Sequence, residues 1–318
     1  MKITDFSYEH INEATELALA NYDEERGHVP ALPRINAIPD LSGFAENGLG
    51  VSAFNGGKMV GFLCCYEPFD NAFGSTNVKG VFSPMGSNAA VTVNRAKIYA
   101  AMYQAAGKKW VHAGAVSHAV SLYAHDRTAN EQFFRYGFGL RSVDAIRYME
   151  ATNDVSCDGY EFMKLPQERY AKMLLLENML DDYMKNSPIF MRRRHITKEE
   201  LDKWTAQDNM RYFTASVGEK FIAFLEVSRG GETFIKDAEN YLHIGGAFCL
   251  PEHRGKGVYQ NLMNYAIRTL KNEGFTRLGV DFESFNPSGT GFWLKHFSVY
   301  THGVVRRIDE NILELNSI

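Results

Sequence analysis

Four cysteines in 318 residues, two of them adjacent at Cys64 and Cys65, give neither a disulfide framework nor the spacing of a metal site, so no metal is expected. Long apolar runs are missing too: none approaches the roughly 20 residues that span a bilayer. The start, Met1 to Tyr8, passes straight into the acidic stretch Glu9 to Glu25 and lacks the basic-then-apolar pattern of a secretory leader. The expected compartment is the cytoplasm, with no membrane partner. Excess charge is also scarce, at a net −4 with no long basic face, which argues against a nucleic-acid partner gripped through its phosphates. The run Arg192-Arg193-Arg194 is a local exception. It precedes Thr197 and Glu200, spaced as a capping box, and reads as a solvated segment before a helix.

What remains is an ordinary globular composition in a chain about twice the usual domain size, enough for two cores. The most informative stretch is Cys249-Leu250-Pro251-Glu252-His253-Arg254-Gly255-Lys256-Gly257-Val258. The run Tyr241 to Phe248 before it reads as a strand. After it, Val258, Leu262, Tyr265, Ala266 and Leu270 form one helical stripe that ends at Gly274. A strand entering a glycine-spaced turn that opens a helix makes an anion cradle, because glycines leave the main chain open and the first-turn N–H groups point outward. A third glycine and a following acidic strand end, needed for a dinucleotide fingerprint, are missing, and so is the Gly-Lys-Ser/Thr of a P-loop.

With these surroundings, Arg254-Gly255-Lys256-Gly257-Val258 resembles the pyrophosphate motif of the GCN5-related N-acetyltransferases, the GNAT family. Tyr259 stands where that family has Gly or Ala. The resemblance implies acetyl-coenzyme A as cosubstrate, held by Arg254, Gly255, Lys256, Gly257, Val258 and Tyr259. It also implies a splayed strand at Phe248, Cys249 and Leu250 that carries the pantetheine arm, and a second coenzyme A element at Asn286 and Trp293. The family's thiolate-protonating Tyr falls at Trp293, whose indole donates a hydrogen bond but is no acid at these pH values.

The two halves overlay weakly at domain scale. Glycine-turn hairpins match at Phe54–Leu63 and Ser216–Leu225, helix-ending glycines at Gly107 and Gly274, and aromatic helices at Phe133 and Phe292. A strand is expected at Trp110–Ala113 and a polar linker at Ala151–Gly159. The fold expected is α/β, a mixed sheet flanked by helices, as two tandem GNAT-like domains over residues 1–152 and 160–318. Counting back from the glycines sets Ser87-Asn88-Ala89-Ala90-Val91 opposite Arg254-Gly255-Lys256-Gly257-Val258, so the first copy has lost the cradle and only the second binds coenzyme A.

The function implied is acetyl transfer to a primary amine, on a small molecule or a peptide, directly within a ternary complex. No cysteine has a nucleophile's surroundings, and Cys249 reads as packing. An amine of pKa about 10.4 is mostly protonated at neutral pH and needs a base. His243 on the cradle strand and Glu283 near the end of the following strand are the candidates. A coenzyme A-binding or sensing protein without catalysis is the alternative that Trp293 leaves open, and an aminoacyl transferase is a third.

Overall fold

The computed structural model describes residues 1–206 and 210–315. In chain order the strands and helices begin with β1 (Lys2–Asp5), α1 (Ile11–His28), α2 (Ser42–Glu46), β2 (Val51–Asn55), β3 (Lys58–Leu63), β4 (Gly80–Ser83), β5 (Asn88–Ala90), α3 (Arg95–His112), β6 (Ser117–Tyr123), α4 (Arg127–Arg135) and β7 (Gly139–Tyr148). They continue with β8 (Glu161–Lys164), α5 (Leu174–Met184), α6 (Lys198–Thr205), β9 (Arg211–Val217), β10 (Lys220–Ser228), β11 (Tyr241–Cys249), α7 (Val258–Asn272), β12 (Arg277–Glu283), α8 (Pro287–His296) and β13 (Ser298–Arg307). None of the described helices is long and apolar enough to cross a membrane.

These elements form two compact units that are not contiguous halves. Unit one takes Met1–Asp144, Phe282–Ser284 and the chain from Ser298, while unit two takes Ala145–Asp281 and Phe285–Phe297. In unit one, β1, β2, β3 and β5 pair antiparallel in that order. The β2–β3 hairpin turns on Gly56 and Gly57, whose φ of +60° and +81° suit a two-residue turn between right-twisted strands. A second group has β6 between β4, parallel to it, and β13, antiparallel over Thr301–Arg307. Helix α3 lays Ile98, Met102, Ala106 and Trp110 into a core shared with Val51, Leu63, Val120, Leu122 and Val304.

Helix α3 corrects the expected strand at Trp110–Ala113. The helix runs on through Gly107 to His112, because Ala106 and Trp110 lie one turn apart on the same buried face. The glycine that ends it is Gly114, at φ +83°, the counterpart of Gly274 at φ +94°. The left-handed residue opening α3 is Asn94, at φ +59°, matching Gly257 before α7. The stretch Ser87–Val91 is therefore not opposite the second-half turn, and most of it forms the short strand β5.

Unit two has its strands in the order β12-β11-β10-β9-β8, with β11 and β12 parallel and the rest antiparallel. Helix α7 packs Leu262, Met263, Ala266, Ile267 and Leu270 inward, and the capping box of Thr197 and Glu200 opens α6. Arg194 of the basic run pairs with Glu200. The expected linker is instead fastened to α7. Thr152 N–H donates to Asn264 Oδ1 at 3.0 Å, Val155 N–H to Asn261 Oδ1 at 2.9 Å, and Arg268 reaches Asp154 at 2.7 Å. Two buried asparagine amides on the helix satisfy this stretch of main chain where water would otherwise do so.

Strand β13 completes unit one from the far end of the sequence. A chain ended after Phe297 should expose the β6 edge and remove Val304 from the core. Amide exchange at Ala119–Leu122 is then expected to rise by about a hundredfold or more, while α7 stays protected, as read by hydrogen-exchange mass spectrometry.

Candidate functional site

The site grows from the parting of two strands. The β11–β12 ladder runs from Tyr241↔Arg277 to Ile244↔Val280 and stops, although β11 continues to Cys249. On its other side β11 stays paired with β10, with Cys249 opposite Ala223 and Phe248 opposite Phe224. Leu250 N–H donates to Ile222 O at 2.9 Å. By the two-residue alternation of an antiparallel ladder, Phe248 N–H also faces β10, and the N–H groups of Ala247 and Cys249 face the unpaired edge. The sequence names Phe248, Cys249 and Leu250 for this edge. Of these, only Cys249 has a main-chain donor directed there, and Ala247 is the residue the sequence reading missed.

After β11 the chain makes a short 3-10 turn over Pro251–His253 and swings through Gly255 at φ +72° and Gly257 at φ +79° into α7. These are left-handed conformations in which other residues are strained by about 1–2 kcal/mol. A Cβ on Gly255 would meet open space, whereas one on Gly257 would lie 2.8 Å from Val155 Cγ1. Among the described residues, none accepts from the N–H groups of Gly255 through Gln260, and no side chain caps the helix. Six outward donors at the positive end of a 15-residue helix make an anion seat. Arg254 is fixed beside it: Nε donates to Cys249 O at 2.9 Å, and the guanidinium lies 4.7 Å from the Tyr183 ring centroid and 5.5 Å from that of Phe248. Lys256 is exposed on the same turn.

A cavity of about 450 Å³ adjoins this turn, walled by the end of α5, the end of β11, the start of α7 and α8. It brings together Phe248, Cys249, Arg254, Gly255, Gly257, Val258, Tyr259, Asn286 and Trp293. Leu250 and Lys256 are not in its wall. Tyr259, the departure from the family motif, turns away from the amides: its hydroxyl donates to Phe224 O at 3.1 Å, and its ring stands edge-on to Phe292 and Trp293. Burial raises its phenol well above the usual range, so it exchanges no proton near neutrality. Burial likewise pushes the Cys249 thiol up to about 11, which leaves it un-ionised and a poor nucleophile. Asn286 Oδ1 caps α8 through Gly289 N–H at 3.2 Å and also accepts from the Tyr183 hydroxyl at 2.9 Å. Tyr183, on α5, is thus a phenolic donor in the cavity wall.

The two candidate bases lie elsewhere. Glu283 belongs to unit one, 3.9 Å from Arg141, and is not among the residues that line the cavity. His243 is nearly buried, with Nδ1 2.9 Å from the Tyr241 hydroxyl and Nε2 2.6 Å from Asp281. A different carboxylate stands at the point where the strands part. The β10–β11 register skips Gly245, since Glu226 faces Gly246 and Val227 faces Ile244. The Glu226 side chain lies over this bulge, 1 % exposed, its Oε1 without any hydrogen-bond partner. Burial first, then repulsion from Glu177, raises its pKa to about 8, against a lowering hydrogen bond from Ser228. Glu177 is itself buried, accepts from the Tyr212 hydroxyl at 2.7 Å, and is pushed by burial to about 7. Neither carboxylate belongs to a recognisable motif. The available signal was a Glu inside the apolar strand Phe221–Val227.

Unit one treats the corresponding helix start differently. The Arg95 guanidinium, 7 % exposed, lies 2.9 Å from Glu24 and 3.1 Å from Asp126, so two carboxylates occupy the surroundings of the α3 N-terminus. No group of three or more His, Cys, Asp or Glu among the described residues is arranged to hold a metal ion.

Residues 176–297 match the model of the acetyltransferase (GNAT) family, and the chain carries an N-acetyltransferase domain of that family. The family generally takes acetyl-coenzyme A as acyl donor. The fold is similar to that of a GCN5-related N-acetyltransferase from Sphaerobacter thermophilus, at 9% identity and a TM-score of 0.58, over 96% of this chain and 95% of that one. It is also similar to a fungal multi-domain GH3 beta-N-acetylglucosaminidase with a GCN5-related glucosamine N-acetyltransferase region, at 13% identity and a TM-score of 0.51, over 96% of this chain and 38% of that one. GNAT-fold structures thus cover nearly the whole chain, in keeping with a mixed α/β tandem architecture. No curated protein sequence matches the chain.

The raised Glu226 pKa has a sign that stability can report. Unfolded, this carboxyl ionises near 4.5, and folded near 8. As pH rises between these values the unfolded state loses the proton first, so the stability present below 4.5 is progressively lost up to about 8. Glu226→Gln removes this dependence. Its Tm should equal the wild type's near pH 4.5 and exceed it increasingly toward pH 8, as measured by calorimetry across that range.

Proposed function

We propose that the protein transfers an acetyl group from acetyl-coenzyme A to a primary amine, directly within a ternary complex, using the cavity of unit two. The observation that carries this reading is the run of unanswered main-chain amides from Gly255 to Gln260 beside a largely apolar cleft. A diphosphate suits the amides, with Arg254 and Lys256 supplying positive charge. The open N–H groups of Ala247 and Cys249 suit the amide-bearing pantetheine arm, and Phe248, Phe292 and Trp293 line the apolar part of the cleft. The bound thioester would supply an activated acyl carbon and a thiol leaving group of reference pKa about 8.5. Of the residues named from the sequence, Leu250 has no role in this reading, because its N–H is already bonded.

Unit one serves as a structural copy in the same reading. Anion binding at the start of α3 is opposed by Glu24 and Asp126, and Asn94 replaces the glycine of the functional turn. The domain division proposed is accordingly functional as well as structural, with a coenzyme A-binding unit and a unit without a cradle. Tyr183 holds Asn286, and through it the start of α8, against the cavity.

Gly255 offers a clean test. Aspartate tolerates the left-handed region, and its Cβ would enter open space, so Gly255→Asp should stay folded while its carboxylate competes for the free amides. Calorimetric titration is expected to show coenzyme A affinity down by about tenfold or more. Gly257 is the poorer choice, since any side chain there strikes Val155. Wild-type affinity in Gly255→Asp would refute the placement.

A further inference from the structure

We infer that Glu226 is the group that takes the proton from the acceptor ammonium, and that Gly245 is bare so that the amine can reach it. This rests on the acetyl-transfer reading. The geometry is specific. Gly245 is passed over by both ladders, because pairing with β12 ends at Ile244 and pairing with β10 skips from Ile244 to Gly246. It is also exposed, while the four residues before it in β11 are buried. A Cβ on Gly245 would lie 2.5 Å from Glu226 Oε2. Behind this bare main chain sits a carboxylate with an unpartnered oxygen, two residues along β11 from Ala247, which lines the cavity.

Every element packed around the carboxylate contributes to its state. Glu177 on α5 and Asp281 on β12 repel its charge, while Ser228 on β10 donates to it. Tyr212 and Tyr170 face it as neutral phenols, Tyr212 donating to Glu177 and Tyr170 to Met210 O. His243 is held between Tyr241 and Asp281, with both ring nitrogens engaged. Glu226 is therefore the group with an unused acceptor atom. A buried carboxylate among further acids favours a cationic partner, so the acceptor class is a primary alkylammonium bearing no carboxylate of its own. In the step, Glu226 Oε takes one proton from the ammonium and the freed nitrogen lone pair forms the N–C bond to the acyl carbon. The C–S bond breaks, its electron pair leaves with the sulfur, and the second proton that the acylated nitrogen gives up passes to that thiolate, leaving a neutral amide and a thiol.

The test uses the full chain with 1,5-diaminopentane, spermidine and benzylamine as acceptors. Coenzyme A affinity, kcat/KM from pH 6 to 10, and the infrared band of protonated carboxyl groups are measured for wild type, Glu226→Gln, Glu226→Asp and Gly245→Ala. In the wild type, kcat/KM should rise through an ionisation near pH 8, and a carboxyl band absent from Glu226→Gln should fade over the same interval. Glu226→Gln should lose about a hundredfold or more in kcat/KM together with that ionisation, and Glu226→Asp should recover part of both. Gly245→Ala should lower the rate by displacing the carboxylate, with coenzyme A affinity unchanged. The proposal is overturned if Glu226→Gln keeps the wild-type rate and pH profile. It is equally overturned if the wild type binds coenzyme A yet acetylates none of the three amines, or if the band does not depend on Glu226. A wild type that fails to bind coenzyme A would overturn the underlying acetyl-transfer reading, and this proposal with it.

Discussion

Two parallel strands that stop pairing after four residues govern unit two. Had β11 and β12 stayed together to their ends, the N–H groups of Ala247 and Cys249 would be spent on the ladder, and the cleft lined by Phe248 and Trp293 would be closed. Main-chain donors deprived of partners inside a fold carry a free-energy penalty unless water or a ligand answers them. The same parting leaves the Ala247–Cys249 edge open between the Gly255–Gln260 amides and the bulge at Gly245, behind which the Glu226 carboxylate is buried. Polar groups left without partners thus lie on both sides of that edge, donors in the turn and a buried acceptor behind the bulge.

Much of this was legible in the sequence, though unevenly. The strand-turn-helix around Gly255 and Gly257 could be read directly, because left-handed turns demand glycine and the α7 stripe repeats at helical spacing. The hairpins at Gly56-Gly57 and Gly218 were equally plain. The helix α3 was cut short because Gly107 resembles a terminator. In the fold it sits on the buried face, a Cβ there meeting the Tyr103 and His118 rings at ordinary distances, and the helix simply continues. Local signals indicate where a helix is able to end, and packing decides whether it does.

The site was less legible where it depends on neighbours distant in sequence. Glu226 reads as an interruption of an apolar strand until the skipped register at Gly245 brings the bulge beneath it. Tyr183 reads as one more residue of an amphipathic helix until Arg254, some 70 positions later, stacks on its ring. Glu283 shows the opposite failure. Its place near a strand end is right, but the chain there belongs to the other unit and faces Arg141. Tyr259 illustrates a third kind. Its size suggests obstruction of the turn, and only the aromatic box of Phe292 and Trp293 shows where the ring goes.

The placement of β13 bears on how the protein is made. A ribosome delivers the first 144 residues well before the strand that closes their core, so the nascent amino-terminal unit waits with the β6 edge unfilled. Meanwhile all the residues that line the cavity of unit two emerge before β13. Vectorial synthesis therefore reverses the customary order of maturation: the later-translated unit has the strands described here first, and the earlier one is sealed by a strand made after all of them.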